Sequence, residues 1–381
     1  MFERWRQDFH DLYNRDDSTC NFNDEHYRQA NAHKQELEAV IEDHIYSPNV
    51  QLNETITIAE VSRLVMRAKS GSACGPDEVP YDVLKKPQII VVLRDLFQLI
   101  FDASLIPTIW RKAVICPILK DINTDKRIPL NYRGVSLLSC IGKLYSAFLN
   151  KRLTKFLNDN DLLADEQNGF RAERSCEDHV FVLNSIVKNN KNVFSAFVDL
   201  KKCFDFIDRD MLLYKLLLHK IDGKMYKSIR NLYDSSSSCI RINNKLTTWF
   251  DCTTGVKQGD NLSPTLVSIF TNDIIHEINE LDIGIDLGGT KVSILMYADD
   301  IVLVSDTEAK LQTMLDLLDD WCNRWRVIIN MNKSKCVHFR RGRAQRTEFN
   351  FKVGELSLEV CSAVLQTAKP CRGPFKTSKK G

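Results

Sequence analysis

"SILMYADDIVLVS" occupies residues 293–305. Two adjacent aspartates, Asp299 and Asp300, interrupt an otherwise apolar run. Residues 294–296 before them and 301–304 after them read as buried strands, which places the acids at the tip of a hairpin. Carboxylates beside such strands repel each other and lose hydration. A divalent cation would turn that cost into a site. The competing reading is a solvated turn, and what surrounds the hairpin decides between the two.

One hundred residues upstream, "NVFSAFVDL" reads as another buried strand, ending at Asp199. If the hairpin pairs beside that strand, three acids converge at one end of a sheet. Hard oxygen ligands with open positions suit Mg²⁺, which binds through one or two carboxylates plus substrate phosphates. Two such ions form a clamp for in-line displacement at phosphorus. The chemistry indicated is nucleotidyl or phosphoryl transfer.

The rest of the chain supplies a scaffold of the right kind. It has 381 residues, 44% apolar and 27% charged, enough for two or three subdomains around a shared core. Its apolar runs stop short of the roughly 18 residues a membrane helix needs, so no membrane partner is expected. The N-terminal "MFERWRQDF" carries charge where a signal peptide needs its apolar stretch. The expectation is an intracellular protein, in nucleus or cytoplasm. Twelve scattered cysteines without a CxxC pair argue against a zinc module or a secreted disulfide scaffold and read as reduced, mostly buried thiols.

Charge is unevenly spread. Residues 1–60 hold 5 Lys/Arg against 13 Asp/Glu, whereas the net charge of the whole is +2. Residues 331–346 hold six basic side chains and no acidic one, and 361–381 hold five and none. A polyanionic partner fits this distribution.

Residues 1–55 read as an acidic extension or linker with some helix. Helices are expected over 57–69, 88–103 and 142–158, and from a Ser175/Asp178 capping box to about residue 188. "WRKAVICPILK" reads as a strand, and "SCIRINNKLTTWFDC" as a hairpin turning at Asn243-Asn244. Ser263 and Pro264 read as an N-cap and a first-turn proline. Val267, Phe270, Ile274, Ile278 and Leu281 form one helix face, and Leu311, Met314, Leu318, Cys322 and Trp325 another. The fold class is α+β, with helices on one face of a mainly antiparallel sheet.

In this order the blocks resemble the reverse transcriptase of non-LTR (LINE-type) retrotransposons. "FVDLKKCFDFIDRDMLLYKL", "GVKQGDNLSPTLVSIFTNDI", "YADDIVLVS" and "WCNRWRVIINMNKSKCVHF" resemble its four palm motifs. "GPDEVPYDVLK", "WRKAVICPILK", "NYRGVSLLSCIGKLYSAFLNKRL" and "QNGFRAERS" resemble its finger blocks. "FERWRQDFHDLYN" resembles the segment that precedes the polymerase. The resemblance implies a right-hand polymerase fold with helical fingers over 56–192, an antiparallel-sheet palm over 193–360, an acidic extension over 1–55 and a disordered basic tail over 361–381.

It also implies roles. Asp199, Asp299 and, less directly, Asp300 hold two Mg²⁺ ions, for which Mn²⁺ could substitute. Phe204 packs under the incoming sugar and excludes a 2′-hydroxyl, while Asp205 is structural. Gln258 supports the templating pair or the sugar. Gly259 lets the backbone approach nucleotide or template. Lys120 and Arg133 face the triphosphate, and Lys333 protonates the departing pyrophosphate or contacts a phosphate. Arg340, Arg341, Arg343 and Arg346 give sequence-independent backbone contacts. The implied partners are an RNA template, a DNA primer and deoxynucleoside triphosphates.

The chain departs from the family's pattern in small ways at Gly134 and Cys203, where proline and alanine are usual. The larger departure is expected after "FKVGELSLEV", where the family continues into a thumb and this chain reads "CSAVLQTAKPCRGPFKTSKKG". The thumb is expected to be largely missing, as in an internal fragment of an element or a truncated gene model. An inactive remnant that at most binds nucleic acid is the alternative function. A group II intron or retroviral type of palm polymerase is the alternative family.

Overall fold

The computed structural model of the protein describes residues 2–18, 20–43, 45–341 and 345–365. Its strands, in chain order, are β1 (Lys112–Leu119), β2 (Tyr132–Leu137), β3 (Asn192–Asp199), β4 (Ser237–Ile242), β5 (Lys245–Leu246), β6 (Phe250–Asp251) and β7 (Ile285–Leu287). They continue with β8 (Thr290–Val292), β9 (Ile294–Tyr297), β10 (Asp300–Ser305), β11 (Lys335–Arg341), β12 (Lys352–Val353), β13 (Leu356–Ser357) and β14 (Glu359–Leu365).

The second large sheet has the order β14-β11-β3-β10-β9, antiparallel except for the β11–β14 pair. β3 lies at its centre. Val193, Phe194, Ser195, Ala196 and Val198 are all buried there, so both faces of the strand are covered. Helices Ser263–Glu280 and Glu308–Trp325 supply cover through the two stripes read from sequence. Val267, Phe270, Ile274, Ile278, Leu311, Met314, Leu318, Cys322 and Trp325 are all buried. The second helix starts on a Thr307 cap and ends where Arg326 turns left-handed at φ 58°.

The first sheet runs β2-β1-β4-β5, with β6 also on β4. The hairpin between β4 and β5 turns at Asn243 and Asn244, at φ 47° and 62°, as a type I′ turn requires. The expected helices form at Ile58–Arg67, Pro87–Ala103 and Cys140–Asp159, the first of them packed on the other two. Capping boxes at Thr57/Glu60 and Ser175/Asp178 start two helices.

Three expectations are corrected. The described residues of the 1–55 segment are no linker. Helix Phe2–Tyr13 buries Trp5, Phe9, Leu12 and Tyr13 against Ile115, Ile240 and Phe250 of the first sheet. Each such side chain contributes roughly 1.5–3 kcal/mol. Acids of this region pair with cations elsewhere, Glu38 with Arg230 and Asp17 with Arg326. Ser263 is not the N-cap of its helix: Leu262 holds that place, and the Ser263 hydroxyl donates instead to the Lys257 carbonyl at 2.8 Å. Residues 361–365, expected to be disordered, belong to β14, because β11 offers a free edge that they pair in parallel. The rest of that tail lies outside the described residues. Among the described residues no helix is long and apolar enough to cross a membrane.

Candidate active site

The hairpin docks where the sequence required. β10 pairs with β3 so that Asp300 lies opposite Asp199, and with β9 so that Asp300 lies opposite Tyr297. Ala298 and Asp299 make the two-residue turn. Burial is the main force pushing the Asp299 carboxyl above its ordinary range, and Asp300 and Asp199 add to it. Asp300 is raised by burial and then by Asp199. Lys333 pulls both back.

Asp199 is held from the segment after helix Glu308–Trp325. Asn330 Nδ2 donates to Asp199 Oδ2 at 2.7 Å, and Lys333 Nζ donates to Oδ1 at 3.2 Å. The Asn330 N–H donates to the Asp199 carbonyl at 2.8 Å. Asn330 escaped the sequence reading, although it stands in the same block as Lys333.

The donor set suits a hard divalent cation, since it consists of carboxylates that repel each other and are short of hydration. Lys333 stands there as the local positive charge. As the side chains lie, no group of three or more His, Cys, Asp or Glu among the described residues is set to hold a metal ion. The Asp199 oxygens are turned to Asn330 and Lys333 instead. An ion would have to draw Asp199 away from Lys333.

A second group of residues lies on the segments flanking this end. Phe204 follows Asp199 by five residues, and its carbonyl accepts from the Val256 N–H at 2.7 Å. Its ring meets that of Phe170 edge to face at 5.9 Å. Phe170 is 53% exposed and has φ 59°, an outlying conformation for an exposed aromatic residue. It too was missed, within the quoted "QNGFRAERS".

Asp205, read from sequence as structural, is engaged within the protein. It is buried and accepts from Gln258 Nε2 at 2.7 Å. Burial pushes its carboxyl up to about 6. Gln258 is thereby fixed at its side-chain amide, while its main-chain carbonyl accepts from the Ser136 N–H at 2.8 Å. Gly259 requires a different explanation from the one given by sequence. Its φ is 111°, and an added Cβ would lie 3.0 Å from the Ser136 carbonyl oxygen. The close approach is to β2, not to an open face.

Cations gather around Asp205. Lys120, whose Nζ donates to the Leu130 carbonyl at 3.0 Å, feels Asp205, Lys333 and Arg133. Burial lowers its pKa, and the two neighbouring cations lower it further. Lys202, at φ 51°, is lowered by burial and by Lys120. Lys120, Arg133 and Lys333 are thus neighbours. Lys202 joins them from "DLKKCFD", where two lysines between the acid and the aromatic were the available signal.

The expected arginine cluster is not part of this group. Arg340 lies at the end of β11 opposite Asn192, the first residue of β3, and Arg341 follows it, its N–H donating to the Lys191 carbonyl. That is roughly 23 Å from Asp199 at about 3.3 Å per residue. Arg340 Nε donates to Ser362 Oγ at 2.8 Å, Arg341 Nη1 to the Lys188 carbonyl at 2.8 Å, and Arg346 Nη2 to the Val360 carbonyl at 2.7 Å. Arg343 lies outside the described residues.

Acids at the end of an antiparallel-rich sheet backed by helices make the palm of a right-hand polymerase. The chain belongs to the reverse transcriptase (RNA-dependent DNA polymerase) family, whose family model matches residues 122–358. It is similar to the RNA-directed DNA polymerase from mobile element jockey of Drosophila melanogaster, with 25% identity over 78% of this chain and 34% of that protein. It is also similar to the Pol polyprotein of the type-2 retrotransposable element R2DM of the same organism, with 25% identity over 73% of this chain and 26% of that protein. The chain spans about a third of the length of the curated relatives it matches. Among solved structures it resembles apo telomerase from Candida tropicalis truncated from the C-terminal domain. The identity there is 12% and the TM-score 0.46, over 70% of this chain and 63% of that one.

Proposed function

We propose that the chain is the polymerase part of an RNA-directed DNA polymerase from a non-LTR (LINE-type) retrotransposon. It would extend a DNA primer on an RNA template with deoxynucleoside triphosphates. The observation that carries this reading is the cross-strand pair Asp199–Asp300 with Asp299 in the adjoining turn, beside a cationic group and an aromatic wall. The mobile-element relatives support it by name.

Asp199, Asp299 and Asp300 would hold divalent ions, Mg²⁺ with Mn²⁺ as a substitute, which when bound activate the attacking hydroxyl and stabilise the leaving oxygen. Lys120, Arg133 and Lys202 bind and orient the triphosphate. Phe204 and Phe170 wall the sugar and leave no room for a 2′-hydroxyl. Gln258, immobilised by Asp205, orients the nucleotide. Lys333, held beside the acids by Asp199, is the proton donor to the departing pyrophosphate oxygen. Arg340, Arg341, Arg343 and Arg346 contribute salt-sensitive, sequence-independent affinity for the nucleic-acid backbone. The protein acts inside the cell, in the nucleus when its target is chromosomal DNA.

Primer extension tests this directly. The full chain should extend a DNA primer on RNA with deoxynucleotides and Mg²⁺, and Asp299→Asn should not. A folded chain that binds primed RNA but never extends it would favour an inactive remnant.

A further inference from the structure

The turn that carries Asp299 is strained, and it is held from outside the sheet. Ala298 has φ 59° and is 5% exposed. An alanine in that region is uncommon and strained. Both of its backbone polar groups are taken by one side chain. The Ala298 N–H donates to Gln167 Oε1 at 2.8 Å, and Gln167 Nε2 donates to the Ala298 carbonyl at 3.2 Å. A single amide therefore closes on the residue as a partner strand would.

The clamp is itself locked. Gln167 is fully buried, and its Oε1 also accepts from the Gly169 N–H at 2.8 Å. Gly169 backs onto the same turn, where an added Cβ would lie 2.2 Å from the Ala298 nitrogen. The segment around it runs along the free edge of β9. The Met296 N–H donates to the Glu166 carbonyl, and the Asn168 N–H to the Met296 carbonyl, each at 2.9 Å. His179 Nε2 meets the same carbonyl at 3.0 Å. The block "QNG" thus has a use at the palm that its place among the finger blocks does not suggest.

Asp299 and Asp300 follow Ala298 directly, so the left-handed turn sets the direction in which the chain presents them. We propose that Gln167 is a positioning residue for the acid pair, holding Ala298 left-handed so that Asp299 and Asp300 face Asp199 as one metal-binding group. The proposal rests on the reading of these acids as metal holders. Gln167 touches neither substrate nor ion. It acts only through the turn.

The test is equilibrium Mn²⁺ binding by the full chain, followed by the electron paramagnetic resonance signal of free Mn²⁺, with circular dichroism confirming the fold. Gln167→Met keeps the side chain's size and removes all three hydrogen bonds, the two to Ala298 and the one from Gly169. It should weaken Mn²⁺ binding about tenfold, the lower end of what partners behind metal ligands typically contribute. Ala298→Gly, added to Gln167→Met, should restore most of the loss, because glycine adopts the left-handed turn without a clamp. A packing defect would not be repaired this way. Gln167→Met binding Mn²⁺ as the parent does, or a double variant no better than the single one, would overturn the proposal. Asp299→Asn is the separating control. If it binds Mn²⁺ like the parent, the reading of the acids fails and the proposal falls with it.

Discussion

Asp300 stands directly opposite Asp199 across the β3–β10 pair. Like charges in that relation destabilise a sheet, and burial adds to the cost at Asp300. In EDTA, Asp300→Asn should therefore melt higher than the parent, by roughly a degree or two for a chain of this size. Mg²⁺ should raise the melting temperature of the parent more than that of the variant. A parent that melts at or above the variant in EDTA would show that the pair is not repulsive.

Asp205 should leave a signature in the pH dependence of stability. Burial raises its carboxyl from 3.8 to about 6, so the folded state prefers the protonated form. Its favourable contribution is complete below about pH 4 and is lost as pH rises through about 6. Above that, the ionised group costs up to about 2–3 kcal/mol. Asp205→Asn should gain stability relative to the parent between these limits and hold the gain at neutral pH. Denaturant melts at pH 4.5 and 7.5 measure it, and a constant difference would contradict the assignment.

Sugar selection should depend on two aromatic residues rather than one. Phe204→Ala should raise incorporation of ribonucleotides relative to deoxynucleotides by about 10–100-fold, the range open to a steric pocket. Phe170→Ala, which removes the ring packed edge to face on Phe204, should give a smaller change in the same direction. Competition between the two sugars in primer extension reads both. An unchanged ratio in Phe204→Ala would remove it from the nucleotide wall.

Lys202 is expected to share the triphosphate with Lys120. Lys202→Gln should raise the KM for deoxynucleotide at least severalfold with a smaller effect on kcat, and Lys120→Gln likewise. The loss should shrink as salt rises, because screening already weakens the contact. An effect on kcat alone would argue for a structural role beside Phe206, whose ring Lys202 overlies at 5.4 Å.

The acids and the palm were legible because they rest on local signals. Strand-ending aspartates, apolar stripes at helical spacing and the Asn243-Asn244 turn each announce themselves within a dozen residues. What escaped was set by partners far apart in sequence. Gln167 and Ala298 are separated by 131 positions, and Asn330 reaches back the same number of positions to Asp199. β14 has weak alternation and forms because β11 leaves an edge open to it. The helix Phe2–Tyr13 carries its apolar residues in so polar a setting that only the first sheet's surface makes them a core. Ser263 has the residue type of a cap, but a nearer use for its hydroxyl decides its place.

The central claim is that Asp199, Asp299 and Asp300 act together in RNA-templated nucleotidyl transfer. Single-nucleotide incorporation on primed RNA, timed under single turnover, tests it most directly. The account predicts incorporation of the complementary deoxynucleotide by the parent with Mg²⁺, and a rate reduced at least about 10³-fold in Asp199→Asn and Asp299→Asn with primed-RNA binding retained. Incorporation by either variant at the parental rate would contradict it.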